Sequence, residues 1–450
     1  VSLAVRKGSV EWPRWLRGPV RDVDANGQVD WSRNERAWVF RSPAVELRHP
    51  QVRARGAFEL TAGPGGDSPR LALDARVEEA DVGIVRQVLP IGRLEPRSIA
   101  WLDGAFVQGR VTRGEVTYRG PVRRFPFRGG EGEFLAVADV AGTTIDYFPG
   151  FAPLSDASGT VTFRNAGLTA QVDSGVVGGL EVTRVEATIA DLKEPVIDVD
   201  AAAAGDVGAA LTLLKQSPLG PTLGSQFMQL AGHGPAGYGL RLHLPTRDPR
   251  SRDYRVRVNL REVTFALPAL REPVQRVSGE FVLHNLEASA NSLEGSFLDG
   301  PFVLDVEPGP IGGPVSAAVV LSGHGRISGA RLPAYIGLPN AVRMSGTADW
   351  NLEGRLERRA AAGNWWTGID VSSDLRGLEI AAPRPFAKAA SDPRPTRVSM
   401  AFERDGRSDV QLSSGAARAR MEFARGESGR LDLERGIARF DSEPAILPAR

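Results

Sequence analysis

Two phrases in this chain share one skeleton 120 residues apart: SGTVTFRN at Ser158–Asn165 and SGEFVLHN at Ser278–Asn285. Aligned without gaps, Ala138–Asn165 falls on Val258–Asn285 for 28 residues, pairing Thr144 with Thr264, Ile145 with Phe265, Pro153 with Pro273 and Gly159 with Gly279. The front of this unit returns at Leu375–Pro383 (LRGLEIAAP), against Leu260–Pro268, and Gly27, Gln28, Val29, Asp30 and Trp31 repeat the Gly159 phrase near the start. Such self-similarity restricts the fold to objects made by laying one supersecondary unit beside its like. The unit is about 120 residues long, so 450 residues hold roughly three and a half. The division that follows is 1–80, 81–205, 206–326 and 327–450, the first a partial unit and each of the others led by a short helix. These read as one continuous sheet rather than independent domains.

Inside the unit the dominant signal is strand. Tyr254, Val256, Val258 and Leu260 alternate with Arg255, Arg257 and Asn259, which places one apolar row on one face of a sheet. The pattern recurs at Leu240, Leu242 and Leu244, at Phe302, Leu304 and Val306, and at Val315, Ala317, Val319 and Leu321. Turns are supplied by 51 glycines and 32 prolines. Helix is rare and falls at related places. Asp206 is a candidate N-cap for Val207, Leu211 and Leu214, with Pro218 as the stop. Asp81, Val82 and Gly83 repeat that start 125 residues earlier and run through Val85, Val88 and Leu89 to Pro90. A weaker copy spans Ile327 to Leu338.

A sheet with one apolar face must bury it against something. The helical pieces are too few to cover so many strands, which leaves separate β-sandwiches, a closed barrel, or one long curved antiparallel sheet with an apolar groove. Sandwich domains require polar linkers, yet the junctions at 81–90, 206–219 and 327–338 are apolar. That favours the single sheet, a mainly β, taco-like trough. Each methylene left in water costs about 0.8 kcal/mol relative to burial, so such a trough calls for an occupant, and its length suits an acyl chain. The candidate lining is therefore the set of rows just named, with either face open to the role, because a period of two does not say which side is concave. The other reading is a structural or adhesive repeat protein whose sandwich cores fill themselves.

Other classes are disfavoured by composition. Lys plus Arg number 55 against 54 Asp plus Glu, so no overall basic field draws nucleic acid. Cysteine is absent, and none of His49, His233, His243, His284 or His324 has metal-site spacing. Gly232–Gly237 spells GxGxxG, but Pro235 removes an amide from any phosphate cradle and a strand pattern follows, so it reads as a turn. Trp365 and Trp366 read as core or groove lining ahead of a sugar platform. No nucleophile elbow is present and no pair of carboxylates stands out, so no catalytic residue, metal or cofactor is expected, and no enzymatic activity. No run of about 18 uncharged apolar residues occurs. The chain opens at Val1 almost directly on a repeat copy, which points to a fragment of a longer protein.

The segment 85–127 carries Leu89, Pro90, Trp101 and Leu102 in a helical piece, then Tyr118, Arg119 and Gly120 ending a strand, then Phe125, Pro126 and Phe127. With SPLG at 217–220 and LRGLEIAAPRPFAK at 375–388, this order resembles the AsmA-like superfamily, and within it the YhdP branch, with TamB-like proteins more distant. The resemblance is good over roughly 80 to 390 and weaker at both ends. It implies a bridge-like lipid carrier in the periplasm of a Gram-negative bacterium, anchored in the inner membrane by a part outside this chain. It further implies phospholipid acyl chains as cargo moving between inner and outer membranes, in a monomer.

Overall fold

The computed structural model describes residues 2–11, 19–34, 37–63, 67–84, 96–220, 228–267, 270–285, 287–312, 315–338, 342–359, 364–383, 386–402, 407–425, 431–440 and 445. The described chain is mainly β, with 26 strands and few short helices. The helices used below are α1 (Pro96–Ala105), α2 (Val207–Gln216) and α3 (Leu332–Ile336). The helical start expected at Asp81 is seen over Val82–Ile84, while Val85 to Pro90, including the Leu89–Pro90 landmark, lie outside the described residues.

Two compact units divide the chain: Val1–Ala204 with Gly239–Tyr254, and Gly205–Tyr238 with Arg255–Arg450. In the first unit, strands from Ser2–Val10 to Val196–Asp206 form one antiparallel ladder in which each strand pairs with a near neighbour in sequence. In the second, the ladder runs from Asp253–Ala266 to Leu431–Arg439 in the same manner. Neighbouring elements pair because the connections are short, and such hairpins favour the antiparallel arrangement.

The repeat has a backbone counterpart at the same offset of 120 residues. Gly142 and Glu262 have φ of 58° and 51°, Asp156 and Arg276 have 50° and 53°, and Asn165 and Asn285 have 52° and 54°. The first two pairs sit at register shifts in the flanking ladders, where one extra residue bends a strand. Each Asn opens the turn of a tight hairpin, a position that needs a left-handed backbone and favours Asn. Asn165 also accepts the Phe134 amide at 2.9 Å. One residue past the Gly142 and Glu262 bulges lie Thr143 and Val263, both with no exposed surface. Gly377, with φ of 90°, and Leu378, also fully buried, stand at the matching place of the third copy. The phrase read in the sequence is thus a strand, its bulge and its turn.

The leading helices share a start. Asp81 accepts the Gly83 amide at 2.6 Å, and Asp206 accepts the amides of Gly208 and Gly234, each at 2.7 Å. The bonds from Gly83 and Gly208 satisfy donors that a helix start leaves free, and the bond from Gly234 ties the Asp206 cap to the bend before Pro235–Pro245.

Candidate functional site: two apolar rows and what lies on them

Residues directly opposite each other in an antiparallel pair project to the same face, so ladder registers trace a face across many strands. In the second unit one such line reads Val258, Phe281, Ala290, Val306, Leu321, Gly354, Ile369, Met400, Val410, Met421 and Gly436. None of these eleven residues is polar. One residue over, on the opposite face, the line is Asp305, Ser322, Glu353, Asp370, Ser399, Gln411 and Arg420.

The first unit repeats the arrangement with Val5, Ala25, Leu47, Ala54, Val77, Gly114, Ala138, Val161, Ala170, Ala187 and Val199. Its other face carries Asp139, Thr160, Gln171, Glu186 and Asp200 in register. Ion pairs decorate this charged face, among them Arg41 with Glu59 at 2.8 Å and Arg241 with Asp200 at 3.1 Å. Such exposed pairs contribute at most about 1 kcal/mol each; their main effect is to keep that face wet.

Short elements rest on the apolar faces. In the second unit α2 sets Val207 and Leu211 against the cluster of Leu260, Val263 and Phe265. At α3, Tyr335 meets Phe297 edge-on at 5.5 Å. In the first unit Trp101 of α1 packs onto the Leu168, Ile189 and Leu192 cluster beside Val161 and Phe163, and its indole donates to the Tyr147 carbonyl at 3.0 Å. Beside that cluster, one rung along from Phe163, Phe125 and Phe127 fold back onto Tyr118, Phe134, Leu71 and Leu73. Phe127 is 2% exposed and sits 5.2 Å edge-on from Tyr118. The Tyr-Arg-Gly and Phe-Pro-Phe landmarks are thus two halves of one aromatic cluster, a pairing that no sequence spacing announces.

The expected lining residues take the following places. Val256, Val258 and Leu260 share a face with Leu304, Val306 and Leu321 through the registers above, and Phe302 pairs with Gly295 and Gly325 on that same face. Val319, opposite Leu356, continues it. Of these, Leu260, Val306 and Val319 are buried and the rest half-buried. Val315 is in a strand, but its side chain lies outside the described residues. Leu240, Leu242 and Leu244 belong to the first unit; Arg241 and His243 reach Asp200 and Asp198 on the charged face, which turns the three leucines to the apolar one. Tyr254, half-buried, is also in the first unit. The GxGxxG stretch is a bend at Gly234 between two strands, Ala231–His233 and Pro235–Pro245, rather than a turn. Trp365 and Trp366 lie in the strand Asn364–Ser373, and their side chains are outside the described residues.

Four titratable groups show what burial and hydrogen bonding do on this scaffold. The amides of Gly234 and Gly208 hold the Asp206 carboxyl below the usual carboxylate range. Arg128, bonded to both oxygens of Asp191 at 2.7 and 2.8 Å, lowers that carboxyl too. Burial lowers the Lys388 ammonium, which donates to the carbonyls of Leu378 and Ala389 at 2.8 and 3.0 Å. Burial pushes the Tyr238 phenol up to about 12, and its hydroxyl has no partner among the described residues. The Asp206 carboxylate adds to the Tyr238 shift, while Asp191 and Lys388 owe theirs to other neighbours. Among the described residues no cluster of His, Asp and Glu could hold a metal ion, and no helix is long and apolar enough to cross a membrane.

Comparison with known proteins fits this arrangement. The chain is 23% identical over 448 residues to the intermembrane phospholipid transporter YhdP of Escherichia coli (strain K12), an alignment that covers 98% of this chain and 34% of that protein. The chain therefore spans about a third of the length of its curated relative. No solved structure gives a significant match. The sequence model of the YhdP protein family matches residues 1–450, and the chain belongs to that family.

Proposed function

We propose that this chain is a segment of an intermembrane phospholipid carrier, in which the apolar rows solvate acyl chains while headgroups stay at the polar margins. The observation that carries the reading is the unbroken apolar line across eleven strands in each unit, backed by a charged line on the opposite face. The family membership and the name of the E. coli relative support the same cargo. The rows named from the sequence, Leu240–Leu244, Tyr254–Leu260, Phe302–Val306 and Val315–Leu321, are the proposed lining. The units 1–80, 81–205, 206–326 and 327–450 are read as successive lengths of the conduit.

In this reading the protein works as a monomer in the periplasm of a Gram-negative bacterium, tethered to the inner membrane and reaching the outer membrane through parts beyond this chain. It performs no catalysis, binds no nucleic acid and needs no cofactor. Transfer requires only that an acyl chain find, at each rung, apolar surface equivalent to the last. Burial of each methylene contributes about 0.8 kcal/mol, so a continuous line holds a chain without any one strong site. Self-filled sandwiches are not favoured, because within each unit the strands follow one another in a single ladder. Lipid extraction and native mass spectrometry of the folded chain test the reading: co-purifying phospholipid is expected, and a folded sample that neither retains nor takes up phospholipid overturns it.

A further inference from the structure

Along most of the apolar rows the side chains are half-buried, but one stretch of the first unit leaves large rings in the open. Trp31 is 54% exposed and Trp38 is 43% exposed. They sit on the strands Asp30–Arg33 and Trp38–His49, where Trp31 pairs with Phe40 and Arg33 with Trp38. Trp38 and Phe40 lie nearly parallel at 6.4 Å. Together with Ala62, these three rings line a shallow apolar slot that is largely open to solvent. The register carries the slot onto the apolar face, since Phe40 pairs with Leu60 and Leu60 with Leu71, the residue against which the Phe125 and Phe127 cluster packs. At its rim the Arg33 guanidinium stands 5.3 Å over the Trp38 ring, and it has no carboxylate partner among the described residues.

The chemistry of the slot is that of a water–hydrocarbon boundary. Indole presents an apolar body with one polar N–H, which is why tryptophan collects where one end of a site is dry and the other wet. A guanidinium held over an indole is kept in place by the ring while its remaining N–H groups stay available for a phosphate. A shallow slot with apolar walls and one cation at the lip suits an amphiphile with an anionic head lying across the boundary.

We infer that Trp31, Trp38, Phe40 and Ala62, with Arg33 at the lip, form a docking site for one anionic phospholipid, its upper acyl segment in the slot and its phosphate against Arg33. This rests on the reading of the apolar rows as a lipid path and gives that path a defined station at its rim. The slot takes the boundary region of the lipid, and the row that runs on through Leu60 and Leu71 takes the chain.

The test uses the whole chain loaded from vesicles of phosphatidylglycerol, natural or brominated on the acyl chains, with tryptophan emission as the readout. Bromine quenches only indoles it touches. The two rings are two of the eight tryptophans, so Trp31→Phe with Trp38→Phe is expected to remove about a quarter of the emission and most of the quenching by brominated lipid, while lipid retention persists. Arg33→Glu is expected to lower the preference for phosphatidylglycerol over phosphatidylcholine at least threefold. Quenching that is the same fraction of emission in the double variant, with lipid retained, overturns the site and leaves the lipid path standing. An unchanged lipid preference in Arg33→Glu overturns the phosphate contact. If the unaltered chain retains no lipid at all, the path falls and the site with it.

Discussion

The two units follow one register rule with different side chains. Alanine and glycine supply six of the eleven positions in the first row: Ala25, Ala54, Gly114, Ala138, Ala170 and Ala187. The second row is bulkier, with Phe281, Leu321, Ile369, Met400 and Met421 along its length. The covers differ too. In the first unit they lie beside the small row, on larger side chains: α1 brings Trp101 onto Leu168, Ile189 and Leu192, and Phe125 and Phe127 bring two more rings onto Leu71, Leu73 and Phe134. The second unit has α2 and α3 at strand ends, while the middle of its row carries its own bulk. Small residues on a sheet make room for something laid on top, whereas large ones make a thicker surface of their own. Equal register therefore does not mean equal capacity.

The largest expected difference concerns charge on the two faces of one strand. Val258→Asp puts an unpaired carboxylate on the apolar row, where it would have to be desolvated beside an acyl chain. Retained phospholipid, measured by extraction, is expected to fall at least tenfold, while Arg257→Asp on the charged face leaves it within twofold. Equal losses would reduce the row to an ordinary packed core.

Next in size is the aromatic cover of the first unit. Phe127→Ala removes a ring that is 2% exposed, and truncations of that kind cost about 3–5 kcal/mol of stability. Denaturant unfolding should show the loss in transitions reporting the first unit and little change in those reporting the second. A uniform shift would mean that the two units unfold together.

Smaller still is the cap of α2. Asp206→Ala should cost about 1 kcal/mol. Because hydrogen bonds from Gly234 and Gly208 lower the Asp206 carboxyl in the folded chain, its stabilising effect is complete above the unfolded value near 3.9 and fades as pH falls through the lowered folded value. The difference between the two proteins in thermal unfolding should accordingly persist from pH 7 to about 5 and shrink in more acid solution. A difference that grows on acidification would contradict the cap.

Much of this was readable because strand alternation is loud where valine or leucine faces arginine. The second row announced itself at Val256, Val258 and Leu260 for that reason. The first row did not, since Ala54, Ala138, Ala170 and Ala187 give little hydropathic contrast with their neighbours. The repeat was legible through its turn and bulge residues, Asn165 with Asn285 above all, because a left-handed backbone restricts residue choice. The placement of Trp101 on Leu168 and Ile189, and of Phe127 on Tyr118, depends on how segments fold back across a face. Periodicity within one strand carries no record of that. The slot at Trp31 and Trp38 was missed likewise, since its walls come from two strands and its meaning from their exposure.

In the proposed carrier one face of each ladder carries lipid and the other does not. Photocrosslinking decides this most directly, with a photoreactive phenylalanine analogue placed in turn at Phe281, Ile369, Glu280 and Asp370 of the lipid-loaded chain. Phe281 and Ile369 stand on the apolar row; Glu280 and Asp370 are their neighbours on the charged face. Phospholipid adducts are expected at the first two and none above background at the second two. Adducts at all four positions alike, or at none while lipid remains bound, would contradict it.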